Sequence, residues 1–393
     1  MTFFSFGASK PNTYLVLTLG SSHAAATLVR VGTTDEKKPE IIATVSKTNA
    51  PTEGKTLKEH LGATTNTLSQ CITTLMRENP CAIKEVYCFL ASPWYTATLI
   101  PISYTQPQPF TVNERLLQSL QTKESQQFLT QTNQLYERDG TNAELLDQSV
   151  TTLFLNGYTT ESPIGKQATL LETSLYVSAM PTMVRHAVTE LVSNLTHTSR
   201  ITFHPFMRAA YTVVRDTLLT VPDFLLLDVG ADVTEMLLVK KGVMVGSGSF
   251  PYGKHFLYTR IQHALSISYD EAASLLSLYL GNALEEGKRA TLERTLSQLE
   301  TEWVRVFQEA LEHAKHEPGM APAIVLAGHA ATLPWFERAL RSEDFHRYTL
   351  ATDHFTIFSL QEELLSQHVK IPPQYPFGVS ALIETLFIRN NLL

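Results

Sequence analysis

The sequence predicts an α/β protein of two related domains, and three observations carry that reading. The stretch "YLVLTLGSSHAAATLVRVG" at 14–32 matches "FLLLDVGADVTEMLLVKKG" at 224–242 in pattern, without a gap, at a constant offset of 210. Each is an apolar run, a key position, an apolar residue, a glycine, a small or polar tip and a second apolar run. Strand signals alternate with helical periodicity along most of the chain, as in doubly wound sheets. Finally, a block of different rhythm, strand, long helix, then strands, interrupts the first half and divides it.

Each copy reads as a hairpin. The runs Leu15 to Leu17 and Leu225 to Leu227 are too short for buried helices and end near a glycine, so they are strands buried on both faces. Gly20 and Gly230 permit the turn, Ser21, Ser22 and Thr234 place hydroxyls at the tips, and the second strands return through Thr27 to Val29 and Leu237 to Val239. The key position is Thr18 in one copy and Asp228 in the other. Two such tips are a geometry for holding phosphates in a shared cleft.

The remaining elements follow in order. "EIIATVSK" is a strand, and Leu57, Leu61, Leu68 and Ile72 line one helix face. "EVYCFLAS" is a strand punctuated by Pro93. A small α+β unit then occupies 83–180, inserted into the first domain, with its helix in "TVNERLLQSLQTKESQQFLTQTNQLYER" and a strand, turn, strand signature from Thr151 onward. "PTMVRHAVTELVSNL" is a helix with proline at its start, "RITFHP" a strand and "FMRAAYTVVRDTLL" a helix. After the second hairpin come a third strand, "GVMVGSGSFPYG", a helix capped by Ser268, the long amphipathic helix "LERTLSQLETEWVRVFQEALEHAKH" and the strand, glycine turn, helix of "AIVLAGHAATLPWFERAL". The domains are therefore 1–82, completed by 181–220 and 365–393; the insertion 83–180; and 221–364, with a helical subdomain at about 266–320.

Composition excludes several classes. Lys plus Arg is 31 against 38 for Asp plus Glu, a net charge of -7 without a basic run, which argues against nucleic acid. Cys71, Cys81 and Cys88 are odd in number and lack metal spacing, so they read as reduced core residues of a cytosolic protein. The start "MTFFSFGASKPN" has neither the basic n-region nor the long apolar core of a signal peptide, and no uncharged apolar run reaches the length of a membrane span. His23 and His329 read as polar loop residues, and no spacing points to a metal cage or a nucleophilic triad.

The order hairpin, inserted unit, "HPFMRAAY", "LLLDVGADVTEMLLVKKG", "GSFPYG" and "VLAGHAATLP" resembles the actin-like superfamily, and within it the FtsA and PilM proteins of cell division and pilus assembly. "NGYTTESPIGKQATLLE" is similar to the inserted subdomain of FtsA, and the aromatic start "FFSFG" also occurs in PilM-like chains. The resemblance implies a two-domain actin-like ATPase fold, a duplicated RNase H-like core with an inserted α+β subdomain. It also implies Mg-ATP as the cofactor, and it names the residues that would hold it: Gly20, Ser21, Ser22, Asp228, Gly230, Ala231, Asp232, Thr234, Gly253, Lys254, Gly328 and His329, with Asp228 toward the magnesium.

The carry-over is incomplete. Thr18 stands where the family usually has an aspartate toward magnesium, and a neutral hydroxyl supplies no charge to a hard cation. Ala231 and Asp232 replace glycines, and Asp232 places negative charge where phosphates go. Ala273 and Leu276 stand where a glutamate and a lysine reach ribose and base. His329 and Lys254 each replace a second glycine; Lys254 could meet a phosphate, although a lysine at a helix start is ordinarily solvated. Three functions stay open: a non-enzymatic scaffold that recruits protein partners to a division or pilus complex through the inserted subdomain or the cleft, with self-association possible; an ATP-binding protein with slow or regulatory hydrolysis; and a small-molecule kinase, for which no catalytic aspartate is found. The closing segment "VSALIETLFIRNNLL" carries one basic residue, Arg389, too few for a membrane-surface helix, so a cytoplasmic protein that reaches the inner membrane through a partner is expected.

Overall fold

The computed structural model describes residues 12–32, 38–49, 55–218, 221–314, 323–342, 355–372 and 378–392. The aromatic start at 3–7 lies outside them. The chain divides into two compact units. One comprises Met1–Ala91, Met183–Leu218 and Gln361–Leu393; the other comprises Ser92–Thr182 and Leu219–Leu360.

The first unit opens with strands β1 (Asn12–Leu19), β2 (His23–Val31) and β3 (Glu40–Thr48), then helix α1 (Leu57–Glu78) and strand β4 (Val86–Leu90). Helix α1 starts at a capping box: Thr56 accepts from the Glu59 amide while the Glu59 carboxylate accepts from the Thr56 amide. Its buried stripe includes Leu61, Leu68, Cys71, Ile72 and Leu75. Strand β4 is buried at every residue and runs parallel to β1, with Thr18 opposite Phe89. A continuous apolar run of this kind belongs in the middle of a covered sheet. That moves the start of the expected insertion beyond 83, because β4 is part of the first sheet.

The inserted block contains β5 (Thr96–Thr111), α2 (Glu114–Tyr136), β6 (Ala143–Leu155), β7 (Tyr158–Thr159) and β8 (Gln167–Pro181), which form a sheet in the order β5-β8-β6-β7. It falls in the second compact unit, where the Leu99 amide donates to Ser247 Oγ at 3.1 Å. Asn156 and Gly157 both take positive φ in the tight β6–β7 turn, where Asn-Gly is favoured.

The first unit resumes with α3 (Thr182–Thr196), β9 (Ile201–Pro205) and α4 (Phe206–Val213). The proline expected at the start of α3, Pro181, is instead the last residue of β8. The first sheet then has the order β3-β2-β1-β4-β9.

The second unit repeats this plan with β10 (Phe224–Val229), β11 (Thr234–Lys240), β12 (Val243–Phe250), α5 (Lys254–Leu265), α6 (Tyr269–Leu280), α7 (Glu286–Ala314), β13 (Ala323–Gly328), α8 (Leu333–Ser342) and β14 (Thr356–Ser359). Its sheet order, β12-β11-β10-β13-β14, mirrors that of the first sheet: a meander, then parallel strands reached by crossovers. Ser268 caps α6 through a box with Glu271. Leu292, Leu296, Leu299, Trp303, Phe307 and Leu311 of α7 recur at three- and four-residue intervals and are buried in one core with Leu225, Leu227 and Val229 of β10. The chain closes in the first unit with α9 (Glu362–Ser366) and α10 (Val379–Asn391), whose residues Ala381 to Ile388 are all buried. Cys71 and Cys88 are buried, but Cys81 is exposed in the loop after α1, which corrects its assignment to the core. Among the described residues no helix is long and apolar enough to cross a membrane, and no cluster of histidine, cysteine and acidic residues could hold a metal ion.

Candidate functional site

The two hairpin tips are built alike and finished differently. In the first unit the Gly20 amide donates to the His23 carbonyl at 3.0 Å and closes the turn. A Cβ on Gly20 would sit 2.7 Å from the His23 ring, which would have to turn aside to admit it. The tip is tied down from outside. The Ser21 carbonyl accepts from His60 Nε2 at 2.8 Å, and the Ser22 carbonyl accepts from the Asn49 amide at 2.8 Å. Ser21 and Ser22 are buried as a result.

Thr18 is buried, and its hydroxyl donates to Glu384 Oε2 of α10 at 2.8 Å. Glu384 is fully buried, and its Oε1 has no hydrogen-bond partner among the described residues. Burial pushes the Glu384 carboxyl well above the usual carboxylate range, and the Thr18 bond opposes that only in part. The Cys88 thiol is pushed up in turn, first by burial and then by the nearby Glu384. Sequence reasoning missed Glu384. Its signal was a lone acidic residue in the apolar run "SALIETLFI".

The second unit gathers Asp228, Gly230, Ala231, Asp232, Thr234, Gly253, Lys254, Gly328 and His329 at one edge of its sheet. Strands β10 and β13 are parallel, with Val229 paired to Gly328, so Gly230 and His329 leave the sheet side by side. This is the C-terminal edge of parallel strands, where open α/β sheets place their sites. The start of α5 packs directly on the hairpin tip. The Lys254 amide donates to the Gly230 carbonyl at 3.0 Å, and the His255 amide donates to the Ala231 carbonyl at 2.8 Å. Gly253 must lack a side chain, because a Cβ there would lie 2.5 Å from both carbonyl oxygens. Thr234 Oγ1 donates to the Tyr252 carbonyl at 2.8 Å. The first amides of α5, the donors a helix offers to a phosphate, are thus consumed by the hairpin.

Around this contact stand several charged side chains. Asp232 Oδ1 pairs with His255 Nδ1 at 2.8 Å. The His255 ring packs edge-on against Tyr269, which packs edge-on against Tyr258. Lys254 is only 9% exposed, which corrects the expectation of a solvated lysine; burial lowers its pKa, and Asp232 acts the other way. His329 keeps an exposed face at the rim, and its Nδ1 accepts from the Ala331 amide at 3.3 Å; the partial desolvation of the ring against the tip, followed by the Lys254 charge, holds its imidazole below the usual range.

Asp228 faces Glu235 directly across β10 and β11. Burial pushes Asp228 up to about 6. Burial and then the Asp228 carboxylate push Glu235 up to about 7, while the Tyr95 hydroxyl and the Ser92 backbone pull it down. The Tyr95 hydroxyl is itself pushed well up, by burial first and Glu235 second. Glu235 and His255 were not singled out from sequence, because a glutamate on an exposed-looking strand and a histidine on a helix carry no local signature. On the adenosine side, Leu276 is 1% exposed in the core and Ala273 packs against it.

No protein-family model matches the chain, and no curated protein does. Solved structures do. A structure of the PilM-PilN type IV pilus biogenesis complex matches over 96% of this chain and 98% of that chain, at 17% identity and a TM-score of 0.62. The ethanolamine utilization protein EutJ from Carboxydothermus hydrogenoformans matches over 97% and 92%, at 12% identity and a TM-score of 0.45. A Bacteroides thetaiotaomicron protein with actin-like ATPase fold matches over 91% and 94%, at 9% identity and a TM-score of 0.40. The chain has the two-domain actin-like fold, in the form seen in PilM.

Proposed function

We propose that this chain is a pilus-assembly protein of the PilM kind, a non-enzymatic scaffold that recruits a protein partner, and that its nucleotide site is degenerate. The observation that carries the first half is the similarity to PilM of the PilM-PilN complex over nearly the whole of both chains. A protein partner in the place of PilN then brings the scaffold to the inner membrane, with the inserted sheet β5-β8-β6-β7 as its docking element. The net charge of -7 opposes direct adsorption to anionic lipid, and α10 has the side chains of Ala381 to Ile388 in the core.

The second half rests on how the tips are finished. Mg-ATP needs hard anionic oxygens for the metal and free amides for the phosphates. Thr18 supplies a neutral hydroxyl already committed to Glu384, and the opening amides of α5 are committed to Gly230 and Ala231. Asp232 adds negative charge, and Leu276 is in the core, out of reach of a ribose. These residues do not fit the cofactor that the fold family implies.

A deletion strain tests the assignment. Loss of surface pili at normal cell length supports it; filamentous cells with intact pili would transfer the protein to division.

A further inference from the structure

We infer that residues 106–109, which leave the inserted sheet as an exposed proline bulge, are a preformed ligand for a partner protein whose groove is lined by aromatic side chains. The inference rests on the reading of the inserted sheet as the docking element. It adds where on that element a partner binds and what chemistry the partner brings.

The bulge begins in the sequence. The run "TQPQPFT" places prolines at 107 and 109. Each ring fixes its own φ at about −65° and keeps the residue before it out of the helical region, so Gln106 and Gln108 are held extended as well. Residues 106–109 are thus confined to the neighbourhood of polyproline II before any tertiary contact forms. The sheet then passes them by. Strand β5 pairs Thr105 with Leu170 and resumes at Phe110 with Ala168, so residues 106–109 stand against Thr169 alone. The Thr169 amide is taken instead by Asn156 Oδ1 at 2.9 Å. Pro107, Gln108 and Pro109 are exposed.

The base of the bulge is fastened. The Tyr104 and Phe110 rings meet edge to face at 4.9 Å and both pack on the core of the inserted block. Gln106 Nε2 donates to the Tyr104 hydroxyl at 2.9 Å. Prolines in an edge strand ordinarily serve to block strand addition. These two have already left the β5–β8 ladder, so blocking does not account for a loop clasped at its base. Without N–H groups they cannot recruit a strand, and they offer rings and carbonyl oxygens instead. The surface that takes such a segment is a groove of tryptophan and tyrosine rings, which stack on proline and supply N–H and O–H donors. Because the segment is rigid beforehand, binding orders little that was loose.

The test is photocrosslinking in cells, with a benzophenone amino acid in place of Gln108 in the full chain. The expected product joins position 108 to a tryptophan- or tyrosine-rich segment of a different protein, mapped by mass spectrometry. Its yield should fall about tenfold or more when Pro107→Ala and Pro109→Ala are introduced together. The melting temperature of the purified chain should stay unchanged, because the bulge lies outside the ladder. The mapped segment and the single variant Pro109→Ala keep the test open if the double variant does not fold. No crosslink, a crosslink to a second copy of this chain, a mapped segment without aromatic residues, or a yield indifferent to the prolines would overturn the inference and leave the scaffold reading to its deletion test. A proline-dependent product in a species whose deletion strain keeps its pili would do the reverse, retaining the surface and removing the pilus assignment.

Discussion

The Thr18 hydroxyl donates to Glu384 Oε2 across 2.8 Å, joining the turn end of β1 to the closing helix α10 inside the first unit. The position where the first hairpin was expected to lack a carboxylate is therefore in contact with one, drawn from the far end of the sequence. The contact is buried and satisfies only one carboxyl oxygen. Thr18→Val keeps the shape and removes the bond, and should cost about 1–3 kcal/mol. Chemical denaturation checks it, and a loss below the error of the method would show that the bond carries no stability.

Glu384 also sets a pH dependence. Its folded pKa is raised, so its contribution is fully present at low pH and is lost as pH climbs toward and through the folded value. Glu384→Gln keeps a neutral group that can accept from Thr18. Melting temperatures of the variant should fall less than those of the wild type as pH is raised above the ordinary carboxylate range, and parallel curves would mean that Glu384 does not titrate with folding.

The facing carboxyls of Asp228 and Glu235 add a second pH dependence. Glu235 moves from an ordinary 4.5 to about 7 on folding, so the folded state holds its proton longer than the unfolded chain. Stability from this group is full below about pH 4.5 and is lost as pH rises through about 7. Glu235→Gln should remove that slope and gain on the order of 2 kcal/mol at neutral pH. Stability measured from acid to neutral pH decides it, and a loss on substitution would instead mark an ionised Glu235 held by an unseen partner.

Gly253 is fixed by approach. Gly253→Ala would press a methyl onto the Gly230 and Ala231 carbonyls and part the two bonds that hold α5 to the hairpin. A loss of about 2–4 kcal/mol is expected. Unchanged denaturation would show that the tip yields without cost.

Much of this fold was legible because it is written in local rules. The two hairpins share one pattern, and Ser268 marks a helix start by its place alone. Beginning the insertion at 83 failed because "VYCFL" carries no sign of which sheet it enters; only its parallel pairing with β1 decides that. The site was half legible. Asp228, Gly230 and Gly253 could be found as motif positions, but the bonds that use up the α5 amides, the burial of Lys254 and the reach of Glu384 across 366 positions are long-range facts. No window of sequence contains them.

The most direct measurement is calorimetric titration of the purified full chain with Mg-ATP, alongside assay of the nucleotide it carries from the cell. A scaffold with committed tips should carry none and bind with an affinity weaker than micromolar, that is, with less than about 8 kcal/mol. Micromolar or tighter Mg-ATP binding, abolished by Asp228→Ala in a folded protein, would contradict it and make the chain a nucleotide-binding member of its fold.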